Sequence, residues 1–192
     1  MKAIMISIKP KWAAKILNGE KTIEIRKTMP KCDLPIDVYI YCTKEDSLSL
    51  LKTYPKDTYV CEQEFKCNDF PYLCSGYEGK GKVVAKFTLN KVEEITPQMW
   101  TPKIEHEILE KSCLKKNELF DYVCSHEGTE DKPFYAWHIS NLEIFNKPKE
   151  LREFRYYKRF DCYNADFDYR TIEYRKISLT KAPQNYMFIE VE

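Results

Sequence analysis

The segment Asn18-Gly19-Glu20-Lys21-Thr22-Ile23-Glu24-Ile25-Arg26 constrains the fold more than any other part of the chain. Apolar residues at helical spacing over residues 12–17 precede it, and Gly19 suits the left-handed backbone conformation that ends a helix. A strand follows at once, because Ile23 and Ile25 alternate with polar residues. The segment therefore predicts a helix that stops directly before a short strand, and this strand has one apolar and one polar face.

The polar face of this predicted strand carries Thr22, Glu24 and Arg26, and Lys21 lies where helix and strand meet. Side chains two positions apart on a strand lie about 7 Å apart on one face. Glu24 is therefore placed to pair with Arg26, to orient Lys21, or to act as a general base if it is desolvated. Arg26 suits a phosphate or a base edge. An ordinary ion pair on a solvated face, contributing at most about 1 kcal/mol, explains the same residues.

Lys9 and His138 are two further candidates for a site. Lys9 ends an alternating apolar stretch just before Pro10, which suits a helix start, and helix N-termini favour anions. Lys9 is thus placed to share a phosphate with Lys21, although a lysine lying along Trp12 is the alternative. His138 suits an acid–base or stacking role, or else that of a hydrogen-bonded structural residue in a core strand.

The rest of the pattern favours an α+β fold. Apolar alternation predicts further strands at residues 4–8, 37–42, 82–92, 134–145 and 186–191, and helical spacing predicts helices at 102–124 and from Pro148 to Phe154. Shifts of the apolar phase predict bulges near Asn90 and Asn141. Because most strands are not joined by crossover helices, we expect a small mixed or antiparallel β-barrel with peripheral helices. The whole chain, 1–192, then forms one domain with insertions at about 43–81 and 96–133.

Composition narrows the function classes. A formal net charge of +1 argues against general polyanion binding, so a nucleic-acid contact requires a local patch. Residues 152–160 interleave cations with aromatic rings, as nucleic-acid surfaces do, but Asp161, Asp166 and Asp168 follow, so a neutralised surface loop fits equally well. No phosphate-cradling glycine loop, serine-hydrolase elbow or dinucleotide fingerprint occurs. The sequence therefore predicts neither a dinucleotide cofactor nor a nucleotide-driven motor.

Eight cysteines occur, and none stands in a Cys-x-x-Cys pair. No apolar run reaches membrane-spanning length and no signal peptide is recognised, so we expect a cytoplasmic protein with reduced thiols and no membrane partner. Cys61, Cys67 and Cys74 cluster loosely and offer a possible zinc site. Their spacing fits no standard zinc pattern, and buried free thiols explain them better. We therefore predict no metal and no cofactor.

Several blocks of the chain resemble the ASCH domain family. Ser7-Ile8-Lys9-Pro10 before a short helix, followed by Gly19-Glu20-Lys21-Thr22-Ile23-Glu24-Ile25-Arg26, resembles the family's signature. Residues 81–87 resemble its central strand, and residues 135–142, 147–151 and 182–189 resemble the longer ASCH proteins of bacteria and their phages. The resemblance implies a PUA-like β-barrel whose partner is RNA, a nucleotide or a nucleoside.

The resemblance also implies possible activities. Some small ASCH proteins are amidohydrolases that deacetylate acetylated cytidine with a Lys, a Thr and a Glu, and their Lys matches Lys21. Their catalytic Thr falls at Glu24, so this sequence departs from the pattern, and Thr22 occupies another motif position. Their Glu comes from a later region, for which the candidates are Glu105, Glu107 and Glu110. Other ASCH proteins are ribonucleases.

We therefore expect an RNA- or modified-nucleotide-binding cleft. The residues expected to line it are Lys9, Lys21, Thr22, Glu24, Arg26 and His138. The alternative is a nucleoside amidohydrolase or a metal-independent ribonuclease at the same cleft, with Lys21 and Glu24 as its catalytic residues.

Overall fold

The structure, a computed structural model, describes residues 1–45, 50–51, 77–124, 132–164 and 169–191. These residues contain ten strands: β1 (Lys2–Ile8), β2 (Ile23–Arg26), β3 (Ile36–Cys42), β4 (Lys82–Leu89), β5 (Val92–Ile95), β6 (Phe134–His138), β7 (Ser140–Glu150), β8 (Arg155–Asn164), β9 (Tyr169–Ser178) and β10 (Tyr186–Glu190). They also contain three α-helices: α1 (Pro10–Leu17), α2 (Pro102–Ser112) and α3 (Lys116–Val123).

Seven strands form one mixed sheet in the order β7-β4-β3-β1-β10-β8-β9. Its centre pairs β1 in parallel with β3 and antiparallel with β10. Both faces of β1 are apolar because both are covered: Ile4 and Ile6 enter one core cluster, whereas Ala3 and Met5 enter another. The sheet therefore separates two hydrophobic cores, which explains why Tyr39 and Tyr41 on neighbouring β3 are buried as well.

The remaining strands form a smaller antiparallel sheet in the order β2-β6-β5. The single long strand predicted over 82–92 is in fact two strands, because the chain leaves the large sheet at Leu89 and enters the small sheet at Val92. The shift in apolar phase near Asn90 thus marks a transfer between sheets instead of a bulge. The small sheet packs one face towards α1 and the large sheet and the other towards α2 and α3.

The strand predicted over 134–145 divides at Ile139, and the bulge predicted near Asn141 is confirmed, because the register of β7 with β4 shifts by one residue at this point. The chain passes from β6 to β7 at Ile139, and Asn141 adopts a positive φ of 48°, which asparagine tolerates better than most residues. The backbone N–H of His138 donates to the carbonyl of Lys91, so the two transfer points lie side by side. The two chain segments therefore form a bent antiparallel pair that both sheets share.

One prediction for the C-terminal part is wrong, and a neighbouring segment for which the sequence gives no clear pattern is in fact regular. The chain remains extended through Pro148 to the end of β7 and then makes only a 3-10 turn at Leu151–Glu153, where a helix was expected. Residues 156–183 lack a clear apolar period, yet they include the β8–β9 hairpin. Alternation fails there because most of the hairpin's described side chains face water on both sides.

The predicted helix before the opening segment is confirmed. Pro10 begins α1, Gly19 follows it with φ of 74°, and the apolar side chains Ala13, Ile16 and Leu17 are buried. The α+β class is also confirmed as a mixed, sheet-dominated fold, whereas closure into a barrel stays a prediction.

Some expectations fall on other parts of the chain. Most of the predicted insertion 43–81, including Cys61, Cys67 and Cys74, lies outside the described residues. None of the helices in the described part of the chain has the length and apolar character needed to span a bilayer.

Candidate functional site

The polar face of β2 points into the protein. Glu24 lies opposite Trp137 and Arg26 opposite Tyr135 on β6, on the side of the small sheet that faces the large sheet. Ile23 and Ile25 instead enter the core beneath α2 and α3. The alternation predicted for this strand is therefore correct, but its polar face is covered by protein and is not a solvated surface.

Lys21 is a buried cation with three partners. Its side chain is 3% exposed, and Nζ donates a hydrogen bond of 3.0 Å to the carbonyl of Ser112, the last residue of α2. The same Nζ lies 3.3 Å from Oε2 of Glu24 and 5.6 Å from the centre of the Trp12 ring. Helix C-termini and aromatic faces both attract cations. Burial nevertheless lowers the pKa of Lys21 from its ordinary value of 10.5, and Glu24 opposes that shift.

Glu24 joins Lys21 to Arg26. Its Oε1 lies 3.2 Å from NH2 of Arg26, so one carboxylate lies between two buried cations. Arg26 also donates to the carbonyl of Ser7 at 3.0 Å and to that of Asn185 at 3.2 Å. Because Ser7 belongs to β1 and Asn185 directly precedes β10, the guanidinium of Arg26 connects the small sheet to the large one. Lys21, Glu24 and Arg26 are called the charged triplet below.

The charged triplet lies in the wall of a cleft of about 360 Å³. This volume falls within the usual range for small-molecule sites. The cleft is lined by Ser7, Ile8, Lys9, Trp12, Lys21, Glu24, Ile25, Arg26, Thr43, Leu114, Tyr122 and Gln184.

Two aromatic residues line the cleft from different helices. Trp12 belongs to α1 and Tyr122 to α3, and Lys11 of α1 donates to Glu118 of α3 at 2.9 Å. Burial raises the pKa of the Tyr122 hydroxyl, and the charges of Arg26 and Glu24 also act on it, so the phenol lies within electrostatic reach of the charged triplet. The cleft thus combines aromatic rings with a net positive cluster.

Lys9 lines the cleft from a much more exposed position. Its side chain is 66% exposed, and its Nζ lies 3.4 Å from Oε1 of Glu45. Its φ and ψ are extended, and its carbonyl accepts the first backbone hydrogen bonds of α1, from Trp12 and Ala13. An ion pair this exposed contributes little stability, so the Lys9 ammonium is available to a ligand.

Two polar atoms of cleft residues are buried and unpaired. Thr43 Oγ1 and Arg26 Nε have no hydrogen-bond partner among the described residues. Buried polar groups without partners are costly, and a polar ligand or water commonly satisfies them. The cleft therefore suits a ligand that carries both donors and acceptors.

Thr22 and His138 do not line this cleft. They belong to a separate open depression with Asn90, Lys91 and Ser140. Because β2 begins at Ile23, the alternation does not extend back to Thr22, which is exposed. His138 instead places Nε2 3.1 Å from Oε2 of Glu93. The depression places the two residues near each other but apart from the charged triplet.

The three carboxylates considered for an amidohydrolase also lie away from the cleft lining. Glu105 accepts from Nε1 of Trp100 at 2.9 Å, and Lys116 lies 2.8 Å from the same carboxylate. Glu107 accepts from Lys111 at 2.6 Å along α2. Neither these two residues nor Glu110 lines the cleft, so this helix supplies the carbonyl of Ser112 to Lys21 but no carboxylate.

Sequence reasoning missed several lining residues. Tyr122 and Leu114 come from the segment interpreted as an insertion, and the short α3 gives no sign that Tyr122 returns to β2. Gln184 lies in the C-terminal block that carried part of the resemblance, which was the one available signal. Among the described residues, no three His, Cys, Asp or Glu side chains come together as metal ligands would.

The fold and this cleft define a mixed, two-sheet α+β protein whose charged triplet follows a Gly-ended helix. The model of the ASCH domain matches residues 6–149, so the chain belongs to the ASCH domain family. No curated protein matches the sequence significantly.

Solved structures with a similar fold are ASCH proteins from Zymomonas mobilis. One single-residue mutant shares 14% identity, with 98% of this chain and 88% of that chain covered and a TM-score of 0.54. The unmutated protein gives 14% identity, 98% and 87% coverage and a TM-score of 0.49. At this identity the first likeness supports the fold alone.

Proposed function

We propose that the protein binds a nucleotide unit of single-stranded RNA, or a modified nucleotide, in the cleft of the charged triplet. The observation that carries the proposal is one carboxylate, Glu24, between two buried cations, Lys21 and Arg26, in the wall of a cleft that two aromatic residues also line. Family membership is consistent with it.

Each part of the cleft matches one part of a nucleotide. Trp12 and Tyr122 offer aromatic faces to a base, and stacking of this kind is tolerant of base identity. Lys9 suits a phosphate that stays partly in water, whereas Lys21 suits a group that enters the cleft. Arg26 donates two hydrogen bonds to backbone carbonyls, so its role is to hold β2 and Glu24 in place and not to bind phosphate directly.

Binding of short, labelled single-stranded RNA and of modified nucleotides, followed by fluorescence anisotropy and calorimetry, tests the proposal. Lys21→Met should weaken binding about tenfold, since one charge-assisted contact contributes on the order of 1.4 kcal/mol. Lys9→Met should reduce the slope of log affinity against log salt by about 0.7, as expected for one lost phosphate contact on a single strand. Lys103→Met is the matched control, because Lys103 is exposed on α2 outside the cleft lining.

The proposal fails if the wild-type protein shows no salt-dependent binding to any single-stranded RNA or modified nucleotide. It also fails if Lys103→Met weakens binding as much as Lys21→Met does.

A hydrolase at the same cleft is the second candidate, and the lowered pKa of buried Lys21 favours it. A lysine that loses its proton more readily can act as a nucleophile, and Glu24 is close enough to exchange a proton with it. The reaction would be hydrolysis of an acylated nucleoside or of RNA without a metal. In this reading Lys21 and Glu24 are the catalytic residues.

Release of acetate from acetylated cytidine, and cleavage of short RNA, test this candidate. The rate should rise with pH through the lowered pKa of Lys21, and Glu24→Gln should move this limb to lower pH, because the carboxylate opposes the lowering. Lys21→Arg keeps the charge but removes the nucleophile, so binding with no turnover is expected. Unchanged turnover in both variants excludes the hydrolase.

A further inference from the structure

A two-stranded ribbon extends from the edge of the large sheet, beyond the residues that the family model matches. Strands β8 and β9 pair antiparallel from Arg155 opposite Ser178 to Asn164 opposite Tyr169. Within the described residues, the register of β8 with β10 holds one pair, Arg155 opposite Glu190. Isolated two-stranded ribbons are only marginally stable in water, so we do not expect this ribbon to serve mainly to stabilise the fold.

One face of this ribbon alternates cations with exposed aromatic rings. Tyr157 lies opposite Lys176, and Arg159 lies opposite Tyr174. Directly opposed residues on antiparallel strands have Cβ atoms about 5 Å apart, so each ring has a cation beside it. Tyr157 is 55% exposed and Tyr174 is 65% exposed. Large rings this open to water cover no core of their own molecule.

The ribbon carries an excess of positive charge. Over residues 155–162 and 172–178 there are five cations and two anions, whereas the whole chain carries +1. Arg159 pairs with Asp161 at 3.0 Å and Arg175 pairs with Glu173 at 2.8 Å. Among the residues that the structure describes, Arg155, Lys158 and Lys176 form no ion pair. The two anions are thus already neutralised, and on the face of Tyr157 and Tyr174 two cations, Arg155 and Lys176, remain for a partner.

This chemistry favours a single-stranded polyanion over a second copy of the chain. Two such ribbons brought edge to edge would oppose their lysines and arginines, and charged edge residues are a common device against strand pairing. Exposed rings gain most from bases that are not already stacked in a duplex, and cations beside them neutralise the linking phosphates.

We propose that the β8–β9 ribbon binds single-stranded RNA, with bases on Tyr157 and Tyr174 and phosphates at Arg155 and Lys176. The choice of RNA rests on the proposed function, and the ribbon extends the footprint beyond the nucleotide held in the cleft. The partner is therefore a strand of several nucleotides, and not a free nucleoside alone.

The test measures the binding of two labelled RNAs by fluorescence anisotropy over a series of salt concentrations. One RNA is a strand of about 15 nucleotides, a length within the site sizes of proteins that bind single strands, and the other is a trinucleotide. Tyr157→Ser with Tyr174→Ser should weaken the longer RNA on the order of tenfold or more and leave the trinucleotide unchanged. The matched variant Tyr157→Phe with Tyr174→Phe keeps both rings and should bind as the wild type does. Lys176→Gln should lower the salt slope by about 0.7, and Lys103→Gln should not change it.

Each outcome decides a different point. Wild-type affinity for the longer RNA in the double Ser variant overturns the ribbon proposal, and if that variant loses its fold, the salt slope of Lys176→Gln decides instead. Equal affinity for a DNA strand of the same sequence overturns the choice of RNA. If the double Ser variant has a smaller mass than the wild type in analytical ultracentrifugation and an unchanged affinity for RNA, the ribbon instead mediates self-association. Lys21→Met tests the cleft separately, because only the cleft is needed for the trinucleotide.

Discussion

The charged triplet shows how burial changes what three ordinary side chains do. On a solvated strand Glu24 and Arg26 would form a weak pair, whereas here Glu24 is 12% exposed and holds two cations at 3.2–3.3 Å. Breaking a buried pair leaves an uncompensated charge, so the triplet behaves as a unit. Because Arg26 also bonds Ser7 and Asn185, this unit positions β2 against the large sheet.

Removal of Arg26 should therefore destabilise the protein. Arg26→Met leaves the carbonyls of Ser7 and Asn185 without their donor and should lower the free energy of unfolding by about 3 kcal/mol. Arg152→Met, in the exposed 3-10 turn, is the matched control and should change it by less than about 0.5 kcal/mol. Urea unfolding measures both. Equal midpoints for the two variants would show that the guanidinium does not connect the sheets.

Lys21 should make stability depend on pH in the alkaline range. Its pKa is lowered in the folded protein, so the unfolded chain holds this proton more tightly, and stability rises with pH between the folded value and 10.5. The cost of the buried charge is fully present below the folded pKa and vanishes above 10.5. Wild type should thus gain stability relative to Lys21→Met as pH increases through this window. A constant difference between the two unfolding curves would contradict it.

At the scale of elements, the position of the short strand β2 is fixed by the ends of two helices, α1 and α2. Before β2, Gly19 ends α1, and the backbone N–H of Lys21 donates to the carbonyl of Lys15. Beside it, the N–H of Thr22 donates to the carbonyl of Lys111 at the end of α2. The two helices that end here bring Ser112 to Lys21, so the segment interpreted as an insertion completes the site.

Substitution of Gly19 tests the join between α1 and β2. Its φ is +74°, and a Cβ built there meets no heavy atom within 4 Å, so Gly19→Ala adds backbone strain without a clash. Thermal unfolding should show a loss of about 1 kcal/mol, and Gly19→Asn should lose less because asparagine tolerates this conformation. If alanine and asparagine cost the same, the left-handed conformation is not what limits this position.

At the scale of the molecule, two sheets meet along a bent strand pair and a ribbon projects from one edge. The core beneath the ribbon's root includes Phe154 and Leu179, and Tyr156 packs against it, whereas Tyr157 and the residues beyond it along β8 contribute to no described core cluster. The ribbon beyond Tyr156 is therefore structurally separate from the cleft, so the two proposed binding sites can be altered independently.

A shortened ribbon should test that separation. Replacing residues 157–176 with Asn-Gly joins Tyr156 to Ile177, which already face each other, through a favoured two-residue turn. The melting temperature should shift by less than about 4 °C, which for a chain of this size corresponds to roughly 1 kcal/mol. A much larger shift would show that the ribbon stabilises the fold.

Sequence alone determined the local structure and the part of the chain in which the candidate site lies. Residue spacing and backbone preference act over a few residues and are enough to predict three elements. These are the strand with Ile4, Ile6 and Ile8, the helix that begins at Pro10 and stops before Gly19, and the charged strand that follows. The α+β class and the family follow from the same blocks.

Only the tertiary structure decided what surrounds these residues. The shift of apolar phase at Asn90 marks a change of sheet, whereas the shift at Asn141 marks a bulge. The two look the same in the sequence, because period-two patterning records burial and not the partner that covers each face. For the same reason no local signal places Tyr122 beside Glu24, or Thr22 and His138 outside the cleft. The polar face of β2 is buried by contacts between residues distant in sequence, and this burial exists only once the two sheets have met. It turns an ordinary ion pair into a charged triplet and lowers the pKa of Lys21.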